Sequence, residues 1–139
     1  MTEIDRRDFL KTAAAATAAV AASSAVSAFA NEAKVPSLAG IIYTKTEQGR
    51  WEGKAGGHAP QITVEAGKVS VVTAHPMTAA HFIVRHTLVL ADGTVLGDKT
   101  FTSSDTPQSS YELPKDYKGK IYATSFCNLH DFWLSETII

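Results

Sequence analysis

The stretch "HFIVRHTLVLADGTVLGDKTF", residues 81–101, decides the fold. It reads as two strands around Ala91–Thr94, because Asp92-Gly93 is a strong hairpin signal. Phe82, Val84, His86, Leu88 and Leu90 share one parity, and side chains two apart on a strand point to the same face. They form a nearly continuous apolar face, with His81, Ile83, Arg85 and Thr87 on the other. Short segments rich in Val, Ile and Thr extend the pattern: "GIIYTK" (40–45), "QITVEAG" (61–67) and "KVSVVTA" (68–74) before it, "SSYELP" (109–114), "GKIYATSF" (119–126) and "FWLSETII" (132–139) after it. All nine glycines and all five prolines follow residue 30 and punctuate these segments. No window beyond residue 30 carries a capped helical period.

Seven or eight short strands in about a hundred residues predict an all-β chain, an antiparallel β-sandwich of immunoglobulin-like size. At 139 residues the chain has room for one such domain. The domain is placed at 40–139, after a flexible lead-in over 31–39. The N-terminus, "DRRDFLKTAAAATAAVAASSAVSAFA" (5–30), has paired arginines, an Ala-rich weakly apolar run, and a small-x-small exit at Ala28–Ala30. It resembles a twin-arginine export signal, with "RRDFLK" (6–11) as the core of the motif. Cleavage is expected after Ala30, leaving Asn31–Ile139, and the implied destination is the periplasm. Twin-arginine cargo generally crosses already folded, commonly because a cofactor is inserted first, so the resemblance points toward a metal site.

Composition excludes other classes. The chain carries 13 basic and 14 acidic residues, and residues 1–30 hold three of each, so the mature part keeps the formal charge of −1. No basic excess is available to hold a nucleic-acid backbone. No later apolar run approaches the ~20 residues of a membrane span. The single cysteine rules out a four-cysteine centre and an internal disulfide.

The soft ligands are Cys127 and five histidines: His58, His75, His81, His86 and His130. Four of the histidines sit where a strand ends or turns, the positions at which a rigid sandwich presents functional groups. His86 lies instead within the apolar parity of its strand, so it reads as a core histidine with one hydrogen bond, not converging with His81 on an ion. Cys127 and His130, spaced Cys-x-x-His on a turn, can place sulfur and nitrogen on one metal. His75 and His81 bracket a six-residue step stiffened by Pro76. Four imidazoles and a thiolate are one ligand more than structural zinc takes. Five ligands with a vacancy suit a redox ion that prefers six-coordination, and iron fits best.

Those residues carry a resemblance. "AHPMTAAHFI" (74–83), "YATSFCNLHDFW" (122–133) and the upstream "HAP" (58–60) are similar in order and spacing to the iron-binding motifs of the superoxide reductases, the family of neelaredoxin and the iron domain of desulfoferrodoxin. The likeness covers residues 40 to 139. It implies a seven-stranded immunoglobulin-like domain holding one iron per chain. His58, His75, His81 and His130 would lie in the equatorial plane, with Cys127 axial and the opposite position open. It also implies a reaction in which superoxide takes one electron and two protons and becomes hydrogen peroxide. An exported enzyme needs a periplasmic or membrane-linked electron donor, and a homo-oligomer is compatible with the sequence. One departure stands out. Where the family has Glu-Lys before the first histidine, this chain has Gly56-Gly57, with Glu52 and Lys54 just upstream in "RWEGKAGGH" (50–58). Neither is read as a ligand; Lys54 is the candidate for drawing in the anion from a displaced register.

Two other readings stay open. A copper carrier of cupredoxin type shares the late Cys-x-x-His but wants a methionine shortly after it, and none follows His130. A non-catalytic iron- or zinc-holding module would need the same five ligands without the Glu-Lys pair.

Overall fold

A computed structural model describes Leu38 and residues 40–139 of the chain. The twin-arginine signal over 1–30 and the lead-in over 31–39, apart from Leu38, lie outside the described residues. Eight strands form: β1 (Ile42–Tyr43), β2 (Gln61–Glu65), β3 (Lys68–Val72), β4 (Ile83–Leu90), β5 (Val95–Thr100), β6 (Gln108–Glu112), β7 (Lys120–Cys127) and β8 (Asp131–Ile138). They make a five-stranded sheet in the order β1-β8-β7-β4-β5 and a three-stranded sheet in the order β2-β3-β6. All pairings are antiparallel except β1 with β8, which run parallel through Ile42↔Phe132 and Tyr43↔Trp133. No helix among the described residues is long and apolar enough to cross a membrane.

The Asp92-Gly93 hairpin forms where it was predicted. Gly93 N–H donates to the Leu90 carbonyl at 3.0 Å, and Leu90 N–H to the Thr94 carbonyl at 2.8 Å. Gly93 takes φ +88°, the left-handed residue that closes a three-residue hairpin loop. The main core lies between the sheets and is built from Val69, Val71, Leu88, Leu90, Tyr111, Ile121 and Ala123.

The apolar parity of β4 holds for His86, Leu88 and Leu90 and then slips. A bulge between Ile83 and Arg85 sets Ile83 opposite Cys127, while Arg85 faces Phe126. Ile83 is therefore fully buried and Val84 only half-buried. An extra residue in one strand reverses the alternation beyond it, and it delivers the start of β4 to the cysteine.

His86 is the core histidine its parity predicts, with two hydrogen bonds in place of one. The Thr73 hydroxyl donates to Ser125 Oγ at 3.0 Å, so it accepts from His86 Nε2–H at 2.8 Å. Ser109 Oγ–H then donates to His86 Nδ1 at 2.9 Å. The bridge ties both sheets together, and burial pushes the His86 pKa down to about 4.

Candidate metal centre

All five predicted donors emerge at one end of the sandwich. His58 closes a four-residue helical turn, α1 (Ala55–His58), that runs directly into β2. No helical signal marks that stretch, because one turn is too short to show a period. Its start is held by Gln48 Oε1, which accepts from Ala55 N–H at 3.1 Å. His75 follows β3, its N–H donating to the Thr73 carbonyl at 2.8 Å. His81 ends a turn closed by paired backbone bonds with Thr78 at 2.9 and 3.1 Å. Cys127 is the last residue of β7, and His130 lies on the tip that turns into β8.

Asn128 locks these loops together. Its Oδ1 accepts from Phe82 N–H at 3.0 Å, and its Nδ2 donates to the Ala80 carbonyl at 2.9 Å. The turn bearing His81 is thereby pinned to the turn bearing Cys127 and His130.

His58, His75, His81, Cys127 and His130 bring one ligand atom each to within 4.8 Å of one another. His58 Nε2 lies 2.9 Å from His130 Nδ1, which lies 3.0 Å from His81 Nε2, which lies 3.0 Å from His75 Nε2. These contacts are not a hydrogen-bond chain. Each ring nitrogen carries either one proton or one in-plane lone pair, yet His81 Nε2 and His130 Nδ1 each touch two neighbours across rings inclined at 69° to 89°. Nitrogens at the corners of a square with such edges stand about 2.1 Å from its centre, close to the distance imidazole keeps from a divalent metal. Cys127 Sγ lies 3.6 Å from His130 Nδ1 and 3.8 Å from His75 Nε2. The donor set fits a single metal ion.

The surroundings favour the neutral form of His58, His75 and His130. Burial lowers the His58 pKa, helped by the neighbouring rings and by Lys54, against the hydrogen bond its Nδ1–H donates to the Lys54 carbonyl at 2.8 Å. That bond leaves Nε2 as the free donor, the usual way a ligating histidine is fixed. His75 is driven to about 4 by burial and then by His58 and His81. Burial, then His81 and Lys54, lowers His130. Cys127 is 1% exposed and packs with Ile83, Phe101 and Met77, which keeps water from its sulfur. Trp133 stands 5.7 Å from the His58 ring and donates Nε1–H to the His130 carbonyl at 2.9 Å. Trp51 meets the His130 ring edge-on at 4.6 Å.

The other predicted residues fall outside the cluster. His86 is bound in its own bridge. No carboxylate joins the converging set among the described residues, and Glu52 is exposed beside Thr46–Gly49. Lys54 is exposed at the start of α1, near enough for its charge to act on His58 and His130. Arg50 and Asp131, which brace Trp51, carry no local signal; only the three-dimensional path brings residues 50 and 131 together.

Residues 48–136 match the family model described as desulfoferrodoxin, and residues 3–23 match that of the twin-arginine translocation pathway signal sequence. The superoxide reductase of Pyrococcus abyssi is 33% identical over 107 residues, a match covering 65% of this chain and 91% of the relative. The desulfoferrodoxin of Nitratidesulfovibrio vulgaris is 36% identical over 93 residues, covering 65% of this chain and 70% of the relative. The solved superoxide reductase (neelaredoxin) of Ignicoccus hospitalis superposes with a TM-score of 0.60 at 31% identity, covering 70% of this chain and 93% of that one.

Proposed function

The chain belongs to the desulfoferrodoxin family, and on that premise we propose that it is a superoxide reductase, an oxidoreductase that converts superoxide to hydrogen peroxide at one mononuclear iron. The observation that carries this reading is the approach of four ring nitrogens and one sulfur to a common centre. His58, His75, His81, His130 and Cys127 would hold that iron. Iron bound there would supply the one-electron couple that the reaction needs.

The protein's own groups set the conditions for that couple. Neutral imidazoles add no charge, and the Cys127 thiolate offsets one positive charge of a divalent ion, so the site stays cationic and draws an anion. His58, His75 and Cys127 are buried while His81 and His130 are half-exposed, so small anions approach from the side of the latter pair. Lys54 stands in the solvent beside His58 and His130, where its ammonium adds to the pull on an incoming anion. Bound to iron, the Cys127 thiolate would donate electron density to it from the buried side. The surrounding Ile83, Phe101 and Met77 keep the sulfur dry and unoxidised.

The signal match at residues 3–23 suggests export across the membrane. We place the mature enzyme, Asn31–Ile139, in the periplasm, with the iron domain over 40–139, and assign reduction to a periplasmic or membrane-linked electron carrier.

Protein purified without oxygen should hold one iron per chain and turn coloured on oxidation through thiolate-to-iron charge transfer. Cys127→Ser should remove that colour. Pulsed superoxide should disappear without dioxygen evolution. Copper or zinc in place of iron would overturn the assignment. Gly56-Gly57, standing where the family has Glu-Lys, favours one second reading, a non-catalytic iron module. Bound iron with no superoxide consumption would select it.

A further inference from the structure

We propose that Asp131 is a positioning residue for His130, acting through Trp51. Asp131 opens β8 directly after His130 and takes a left-handed φ of +62°. A side chain in that region costs energy that glycine avoids, although Asp tolerates it better than most residues. Glycine would serve the backbone here; what aspartate adds is a carboxylate, and that carboxylate is engaged twice. Asp131 Oδ2 accepts from Arg50 Nη2 at 2.7 Å and from Trp51 Nε1 at 3.0 Å. The Arg50 guanidinium also lies over the Trp51 ring, 4.8 Å from its centroid. The indole is thus held at both its N–H and its face, and its seated ring meets His130 edge-on, 4.6 Å between centroids and 86° between planes.

The contact matters because His130 differs from the other histidines. It approaches the common centre through Nδ1, the nitrogen nearer the backbone, while the other three approach through Nε2. His58 is oriented by a hydrogen bond to the Lys54 carbonyl. For half-exposed His130 the bracing group is the Trp51 ring. The Arg50–Asp131 pair is itself well exposed, with side chains 67% and 39% accessible, and surface ion pairs contribute little to stability. Its consequence lies in the ring it seats.

The proposal rests on the ligand assignment, and its test separates the two. Asp131→Gly should fold as well as the wild type, since it relieves the left-handed backbone, but should lose iron to a ferrous chelator about 10-fold faster. In the full chain loaded with zinc as a diamagnetic stand-in, its Trp51 indole N–H resonance should move to a solvent-exposed position. Asp131→Asn keeps an acceptor and tolerates the backbone. It should hold the resonance in place and lose iron within about threefold of the wild-type rate. Arg50→Ala should loosen the indole part-way. An unchanged resonance and an unchanged chelator rate in Asp131→Gly would overturn the proposal. So would faster iron loss with the resonance unmoved. A wild-type chain that retains no iron would overturn the ligand assignment instead, while the resonance still reports whether Asp131 seats Trp51.

Discussion

His86 and Lys54 show how burial sorts chemically capable residues into different tasks. His86 is fully buried and bonded at both ring nitrogens, so it has no nitrogen free for a metal. Its folded pKa of about 4 lies below the 6.5 of an exposed imidazole, so between those values the unfolded chain binds more protons than the folded one. Its stabilising contribution is complete above about pH 6.5 and is lost as pH falls toward 4, a span worth roughly 3 kcal/mol. His86→Gln should therefore flatten the acid limb of the stability curve between pH 6.5 and 4. At neutral pH it should cost about 1–2 kcal/mol and leave the oxidised colour intact. Denaturant midpoints across pH measure the first effect, and an acid limb identical to the wild type would reject it. Lys54 is the opposite case, an exposed charge whose proposed role rests on its reach. Lys54→Ala should lower the second-order rate with superoxide at low ionic strength by about 3–10-fold, an effect that added salt erases. An unchanged rate at low salt rejects the displaced-lysine role.

Elements translate these residues into position, and the hairpins do most of that work. β2 and β3 join through a two-residue turn in which Ala66 and Gly67 both have positive φ, +49° and +79°. This is the geometry that Asn-Gly satisfies and Ala-Gly strains. Ala66→Asn should raise stability by about 0.5–1 kcal/mol, or roughly 3–6 °C in melting temperature for a domain of this size. Thermal unfolding monitored by circular dichroism decides it; a fall in melting temperature would mean that the turn is not strained. Strand positions were legible because period-two alternation and Gly/Asp turn chemistry are local properties. So were the five donors that converge, since four stand at strand ends and Cys-x-x-His is a local spacing. The bulge before Arg85 was not legible: "HFIVRH" alternates smoothly, and only pairing with β7 shows that Ile83 and not Val84 turns inward beside Cys127. The parallel pairing of β1 with β8 was equally hidden, because two residues carry no directional signal. The same holds for Asp131, whose partners Arg50 and Trp51 lie some eighty positions away in sequence.

Across the whole domain, the candidate centre is placed to act as a clip. His58 and His75 come from segments flanking β2 and β3 of the three-stranded sheet, while His81, Cys127 and His130 flank β4, β7 and β8 of the other. An ion held by all five closes the sandwich at that end. The main core of Val69, Val71, Leu88, Leu90, Tyr111, Ile121 and Ala123 contains none of the five converging donors. The domain should therefore stay folded without metal, but unevenly. Without the ion, nothing draws together the five groups crowded within 4.8 Å, and the Asn128 clamp ties only the turn bearing His81 to the turn bearing Cys127 and His130. Iron that binds only the folded chain stabilises it by about 2.7 kcal/mol at a hundredfold excess over its dissociation constant. Removing iron should lower the melting temperature and speed amide hydrogen exchange at residues 75–82 and 127–131. Exchange near the Ala66–Gly67 turn and the start of β7 should change little. A uniform acceleration along the chain would mean that the ion supports the whole fold. No change at either end would mean that the five groups are held by the protein alone and that iron enters a cage already closed.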